Sequence, residues 1–121
     1  MKRYLLIIAL PLFLIIGCEK ATIEYFQDEN GIMYVQYNGN PNTQRPFTGE
    51  IVEHYDEKDG GLIKSKSSYK DGKLDGQNNL WYKSGKKWFQ KNYKDDELIL
   101  QRCFDVGGNE CECSELGRGC K

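Results

Sequence analysis

Cysteine is the residue type in this chain whose spacing could do the most chemistry. Cys103, Cys111, Cys113 and Cys120 crowd the final stretch, and Cys18 stands alone near the start. Four thiolates could hold a zinc ion or close two disulfides. Zinc knuckles typically leave about two to four residues between paired ligands. Here the intervals are seven, one and six residues, and the only histidine, His54, lies far upstream. Two disulfides are therefore expected, with three pairings open on spacing alone, in a chain that has left the reducing cytosol.

No other cluster assembles a reaction. Catalysis needs a nucleophile with its base, a pair of carboxylates in a pocket, or a metal. His54 lies between Glu53 and Tyr55 in a stretch that turns its charges outward, which reads as a solvated surface histidine. Asp56, Glu57 and Asp59 before Gly60-Gly61 lack the alternating spacing of oxygen ligands in a calcium loop and read as an acidic turn. Gly72 and Gly76 are not followed by the Gly-Lys-Ser/Thr that opens a phosphate-binding helix. The expectation is a protein that is not an enzyme, with no catalytic residue, no metal and no cofactor.

Cys18 has a different context. Met1-Lys2-Arg3 is a short basic segment, and Tyr4 to Ile16 is an apolar run broken only by Pro11. That run falls short of the roughly 20 residues a spanning helix needs and has the layout of a cleaved secretion signal. Its end, Leu14-Ile15-Ile16-Gly17-Cys18, resembles a bacterial lipobox, which implies cleavage after residue 17 and lipidation of Cys18. Two or more acyl chains hold a protein stably at a bilayer, at about 0.8 kcal/mol per buried methylene. Residues 1–17 are thus expected to be signal peptide, and residues 18–30 anchor and linker. The resemblance implies a location in the bacterial cell envelope, with membrane lipid as the first expected partner. By resemblance to lipoproteins of diderm bacteria, Glu19 in place of a retention aspartate permits the outer membrane.

The elements that carry these residues must fold from a lean composition. The chain has 121 residues, enough for one domain, and 14 of its hydrophobic residues fall in the first 18 positions. Beyond Cys18 about a third of the residues are hydrophobic, low for a globular core, and 13 of those are aromatic against 14 Ile, Leu and Val. Lys+Arg number 17 and Asp+Glu 18, and loss of Lys2 and Arg3 with the leader takes the net charge to about −3. That balance argues against nucleic acid, whose phosphates select a basic surface.

An internal repeat organises residues 31–100. Gly49 to Tyr55 and Gly76 to Tyr82 both span six positions, and Gly61 to Tyr69 and Gly85 to Tyr93 both span eight. The copies differ only between Tyr55 and Gly61, six positions where Tyr82 to Gly85 is three, which places the insertion in a loop. Each copy reads as a β-hairpin, with Lys83-Ser84-Gly85-Lys86 a tight connection and Tyr69-Lys70-Asp71-Gly72 the turn to the next hairpin. Alternation puts Leu80 and Tyr82 on one side with Trp81 on the other, and Phe89 and Tyr93 opposite Trp88. The fold expected is all-β, an antiparallel meander of hairpin repeats in a single extended sheet. Gly49, Gly61, Gly72, Gly76 and Gly85 are its turn and structural positions, and Tyr55, Tyr69, Trp81, Tyr82, Trp88 and Tyr93 its candidate binding face. Lysines interleave with these aromatics at positions 70, 73, 83, 86, 87, 91 and 94, a pattern that discourages edge-to-edge aggregation. Such a sheet needs capping, the role expected of the cysteine-rich tail, residues 101–121.

The pattern Gly-x5-Tyr, Gly-x7-Tyr-Lys-Asp-Gly-Lys-x-x-Gly, with Trp81-Tyr82-x-Ser-Gly-Lys in the second copy, resembles the bacterial variant of the MORN repeat found in the YwqK-type antitoxin family. The likeness runs from about Gly31 to Leu98 and includes the entry segments Asn30-Gly31-Ile32-x-Tyr34 and Pro46-Phe47-Thr48-Gly49; Asp96 departs from it where a turn glycine is due. Related lipoproteins carry a similar Cys-Asp-x-x-Gly-Asn-x-x-Cys segment after their repeats, which implies the pairs Cys103–Cys111 and, by default, Cys113–Cys120. The resemblance implies a membrane-anchored, non-catalytic protein-interaction module, antitoxin- or immunity-like, with a toxin as one kind of protein partner. The alternative is a structural envelope protein whose lysines and aromatics contact phospholipid headgroups or cell-wall polymer.

Overall fold

A computed structural model describes residues 20–121; the signal segment and Cys18 lie outside them. Nine strands account for the regular structure: β1 (Ile23–Gln27), β2 (Met33–Tyr37), β3 (Asn40–Pro46), β4 (Gly49–His54), β5 (Ile63–Lys70), β6 (Lys73–Trp81), β7 (Lys87–Lys94), β8 (Glu97–Phe104) and β9 (Glu110–Cys111). A 3-10 turn at Glu57–Asp59 fills the insertion between the first copy's strands. All neighbours are antiparallel and consecutive in sequence, so the topology is a meander.

The expected single sheet is instead two, a three-stranded β1-β2-β3 and a six-stranded β4-β5-β6-β7-β8-β9. The break falls at Phe47-Thr48, and its cause is proline. Pro41 and Pro46 leave β3 without two of its N–H donors, which confines it to an edge. Phe47 then joins the sheets rather than extending either. Its N–H donates to Met33 of β2 at 2.9 Å, its carbonyl accepts from Gly72 at 2.8 Å, and Met33 N–H closes the triangle on Gly72 O at 2.8 Å. The rings of Tyr25, Phe47 and Tyr69 follow the same route, with centroids 5.0 and 6.0 Å apart.

The repeat spacing has a direct structural cause. Gly49 pairs across the ladder with Tyr69, and Gly76 with Tyr93, so each copy sets its second tyrosine opposite a residue with no side chain. The turns Asn38-Gly39, Asp71-Gly72 and Asp95-Asp96 all hold two residues at positive φ, the geometry that matches the twist of a two-residue hairpin. The connection at Gly85 is one residue longer than the tight turn expected. Gly85 N–H donates to Tyr82 O at 2.9 Å and Tyr82 N–H to Lys86 O at 2.8 Å, enclosing Lys83, Ser84 and Gly85 with the glycine at φ +87°.

Two boundaries differ from expectation. Residues 18–30, expected as anchor and linker, contain β1, which pairs along its length with β2. The cysteine-rich tail opens as a third hairpin of the repeat, because Asp105 N–H donates to Asn109 O and Gly108 N–H to Asp105 O, the bonds that Tyr82 and Gly85 make one copy earlier. Little of the chain is deeply buried. Val35, Phe89 and Cys103 are the buried hydrophobic residues among those described, one in the small sheet and two in the large one, and only Cys103 is fully so.

Candidate functional site

The six aromatic residues expected to form a binding face are all half-buried. The register shift between Leu80 and Trp81 sets two β7 residues, Trp88 and Phe89, against one step of β6. This bulge turns Trp88 onto the face of Phe89, correcting the alternation expected of it. Trp88 stacks on Tyr82 at 5.5 Å and tilts against Phe89 at 6.1 Å. Tyr55, Tyr69, Tyr82, Trp88 and Tyr93 thus gather on one face, and Trp81 points to the other.

Two of those tyrosines also act as braces. Tyr55 donates its hydroxyl to Trp81 O at 2.7 Å, and Tyr82 donates to Phe104 O at 2.9 Å. Burial raises the Tyr69 phenol above its ordinary value of 10.0, helped by the negative fields of Asp96 and Glu53 and opposed by a hydrogen bond with Ser67.

The tail lies over the same face at its far end. Disulfides join Cys103 to Cys113 and Cys111 to Cys120, with Cα separations of 5.2 and 5.6 Å. The pairs Cys103–Cys111 and Cys113–Cys120 are instead backbone partners, across β8–β9 and across an isolated bridge. The implied pairing is therefore corrected: hydrogen bonds close the near contacts, and the sulfurs cross between them. This crossing seats Gly117 and Gly119 deep in the structure, and a Cβ on Gly119 would stand 2.8 Å from Trp88 Nε1. Lys91 is held beneath Gly117 with its ammonium 4.6 Å from the Phe89 ring centroid, and burial depresses its pKa, with the Arg118 charge adding to the shift.

The lysines interleaved with the aromatics are largely engaged. Lys83 pairs with Asp59 at 3.2 Å, Lys94 with Asp75 at 3.0 Å, and Lys86 donates to Gly107 O at 2.9 Å. His54 is exposed at the end of β4, and Asp56 and Asp59 contact Lys58 and Lys83. Among the described residues no three His, Cys, Asp or Glu side chains converge as a metal site, and no helix is long and apolar enough to cross a membrane.

One run of exposed apolar residues, among several exposed hydrophobics, was not read from the sequence. Leu98, Ile99 and Leu100 on β8 are 43, 66 and 48% exposed. β9 pairs only with Cys103 and Phe104, so the outer edge of β8 is open from Glu97 to Arg102. Other sheet edges carry devices that discourage strand addition: prolines on β3, Glu50 and Glu53 on β4, Glu24 on β1. On β8 the charges stand only at the ends, although a bulge near Ile99 interrupts the pairing with β7. Three adjacent apolar residues after the Asp95-Asp96 turn were the available signal.

The fold is all-β, a six-stranded antiparallel meander joined to a smaller sheet. No family model, curated protein or solved structure matches the chain.

Proposed function

We propose that this protein is a lipid-anchored, non-catalytic protein-interaction module of the bacterial cell envelope, built on a MORN-type hairpin array. The observation that carries the reading is the open β8 edge. An apolar strand with free backbone groups, held on a six-stranded sheet whose opposite edge is charged, is suited to recognition by strand addition. The anchor rests on the sequence context of Cys18, which would place the module at a membrane surface without a hydrophobic face of its own. The narrower role of neutralising a toxin rests on the resemblance of the repeat, and an adjacent gene for a secreted toxin would favour it. Headgroup binding by the lysines draws less support, because Lys83 and Lys94 are already paired with acids and Lys86 is held on Gly107 O.

The test is crosslinking in the native envelope with the acylated chain, beside an Ile99→Lys variant. Loss of one specific protein from the variant's capture supports the module. Capture of only lipids or abundant envelope components, equally by both forms, rejects it. Cys18→Ala separately tests the anchor, with transfer from the membrane to the soluble fraction expected.

A further inference from the structure

A cleft of about 380 Å³ lies between the two sheets, where β1 and β2 face the first repeat hairpin. Tyr25, Phe26 and Met33 line it from the small sheet and Tyr69 from the large one, with Glu53 and Ser67 among its polar lining. Glu53 is the only charged residue in that lining. Ser65 donates to its Oε2 at 2.9 Å, yet no Lys, Arg or His lies within salt-bridge distance of it among the described residues. Glu50, on the opposite face of the same strand, is matched by Lys66 at 3.0 Å. A second cavity beside Phe47 has the opposite charge, with Arg45 in its lining and no acid. Aromatic side chains and an exposed carboxylate with no cationic partner are complementary to a cation, through the negative ring quadrupole and a charge-assisted hydrogen bond.

We propose that this cleft binds an organic cation, an ammonium or guanidinium group on a short apolar stem. The stem packs on Met33 and the tyrosine rings, and the charged head reaches Glu53. The inference does not depend on the β8 edge, and either can fail without the other.

The test is an NMR titration of the full chain in detergent micelles with n-butylammonium, using n-butanol and butyrate as neutral and anionic controls. Saturable shifts confined to Tyr25, Ser65, Ser67 and Tyr69 are expected for the cation alone. Glu53→Gln is expected to weaken binding roughly tenfold, and Glu50→Gln to leave it unchanged. A blocked lysine amide that binds as well as n-butylammonium identifies a polypeptide side chain as the source. Its exclusion while n-butylammonium still binds identifies a free amine, and both results support the site. Equal shifts with n-butanol, no saturation with any cation, or binding indifferent to Glu53→Gln overturns the proposal.

Discussion

The Tyr55 hydroxyl donates to the carbonyl oxygen of Trp81 at 2.7 Å, joining the end of β4 to the end of β6 past the intervening β5. Tyr82 makes the same bond to Phe104 past β7, at 2.9 Å. The first tyrosine of each copy therefore ties its hairpin to the next one, a contact no strand ladder can make. Tyr55→Phe and Tyr82→Phe keep the ring and remove only the bond. Each should lower stability by about 1 kcal/mol, read as a shift of the urea midpoint at constant slope. Unchanged midpoints would show that the braces contribute nothing net.

A second lock recurs at the other end of each hairpin. Gly72 N–H donates to Phe47 O and Asp71 N–H to Thr48 Oγ1; one copy later, Asp96 N–H donates to Leu74 O and Asp95 N–H to Asp75 Oδ2. Asp96 occupies the glycine position at φ +65° and offers its Oδ1 to Leu74 N–H at 2.7 Å, so its own side chain supports the strained backbone. Gly72 has no such latitude, since a Cβ there would run into the Ile32 side chain and stand 2.8 Å from Met33 O. Gly72→Ala should cost at least about 2 kcal/mol, and Asp96→Gly under about 1 kcal/mol. Thermal denaturation of the two variants side by side tests the order.

Reading the sequence recovered the hairpins of β4 to β7, because Gly-Tyr spacing and turn residues are local signals. It missed three features set by longer-range geometry. The division into two sheets follows from prolines whose effect depends on which neighbour β3 would have had. The turning of Trp88 follows from a bulge, which one extra residue creates without any mark in composition. The disulfide crossing follows from backbone bonds that occupy the nearest partners first. The third hairpin was readable, since Asp105 to Gly108 repeats the interval of Tyr82 to Gly85, but the missing tyrosine concealed it. Of the six candidate aromatics, five share one face and Trp81 lies on the other, and neither that division nor their half-burial was legible.

The crossed disulfides close short loops, with sequence separations of 10 and 9. Loss of either is expected to cost about 2–3 kcal/mol on chain-entropy grounds. Cys111→Ser with Cys120→Ser should lower the thermal midpoint and speed proteolysis after Arg118, while the β4–β7 hairpins keep their amide protection. Equal loss of protection throughout the sheet would show that the tail does more than cap.

Acid should loosen the third hairpin. Asp105 is held below its ordinary value of 3.8, chiefly by the backbone N–H of Asn109 and with help from Gly107. The bond to Lys94 lowers Asp75, and the bond to Arg102 lowers Glu110. With the folded pKa depressed, the unfolded chain takes up protons first as pH falls. The stabilisation is thus present above about pH 4 and disappears as pH drops through the folded values. Thermal midpoints measured down to that range should fall, and Asp105→Asn, which retains an acceptor, should flatten part of the decline.

Self-association should track the open strand. Ile99 is 66% exposed, so Ile99→Lys should leave the thermal midpoint nearly unchanged and reduce association on concentration, as measured by light scattering. Equal scattering from both forms would remove β8 as the sticky edge.

The braces and locks bind each hairpin only to its immediate neighbours, whereas the sulfur bonds after Cys103 fix the last hairpin to a segment with no counterpart upstream. A lineage that lengthens this sheet by duplicating a unit can insert the copy between Gly49 and Asp96, where both of its borders meet familiar partners. A copy placed after Cys103 would meet no such partner, because the disulfides Cys103–Cys113 and Cys111–Cys120 tie that end of the sheet to the tail instead.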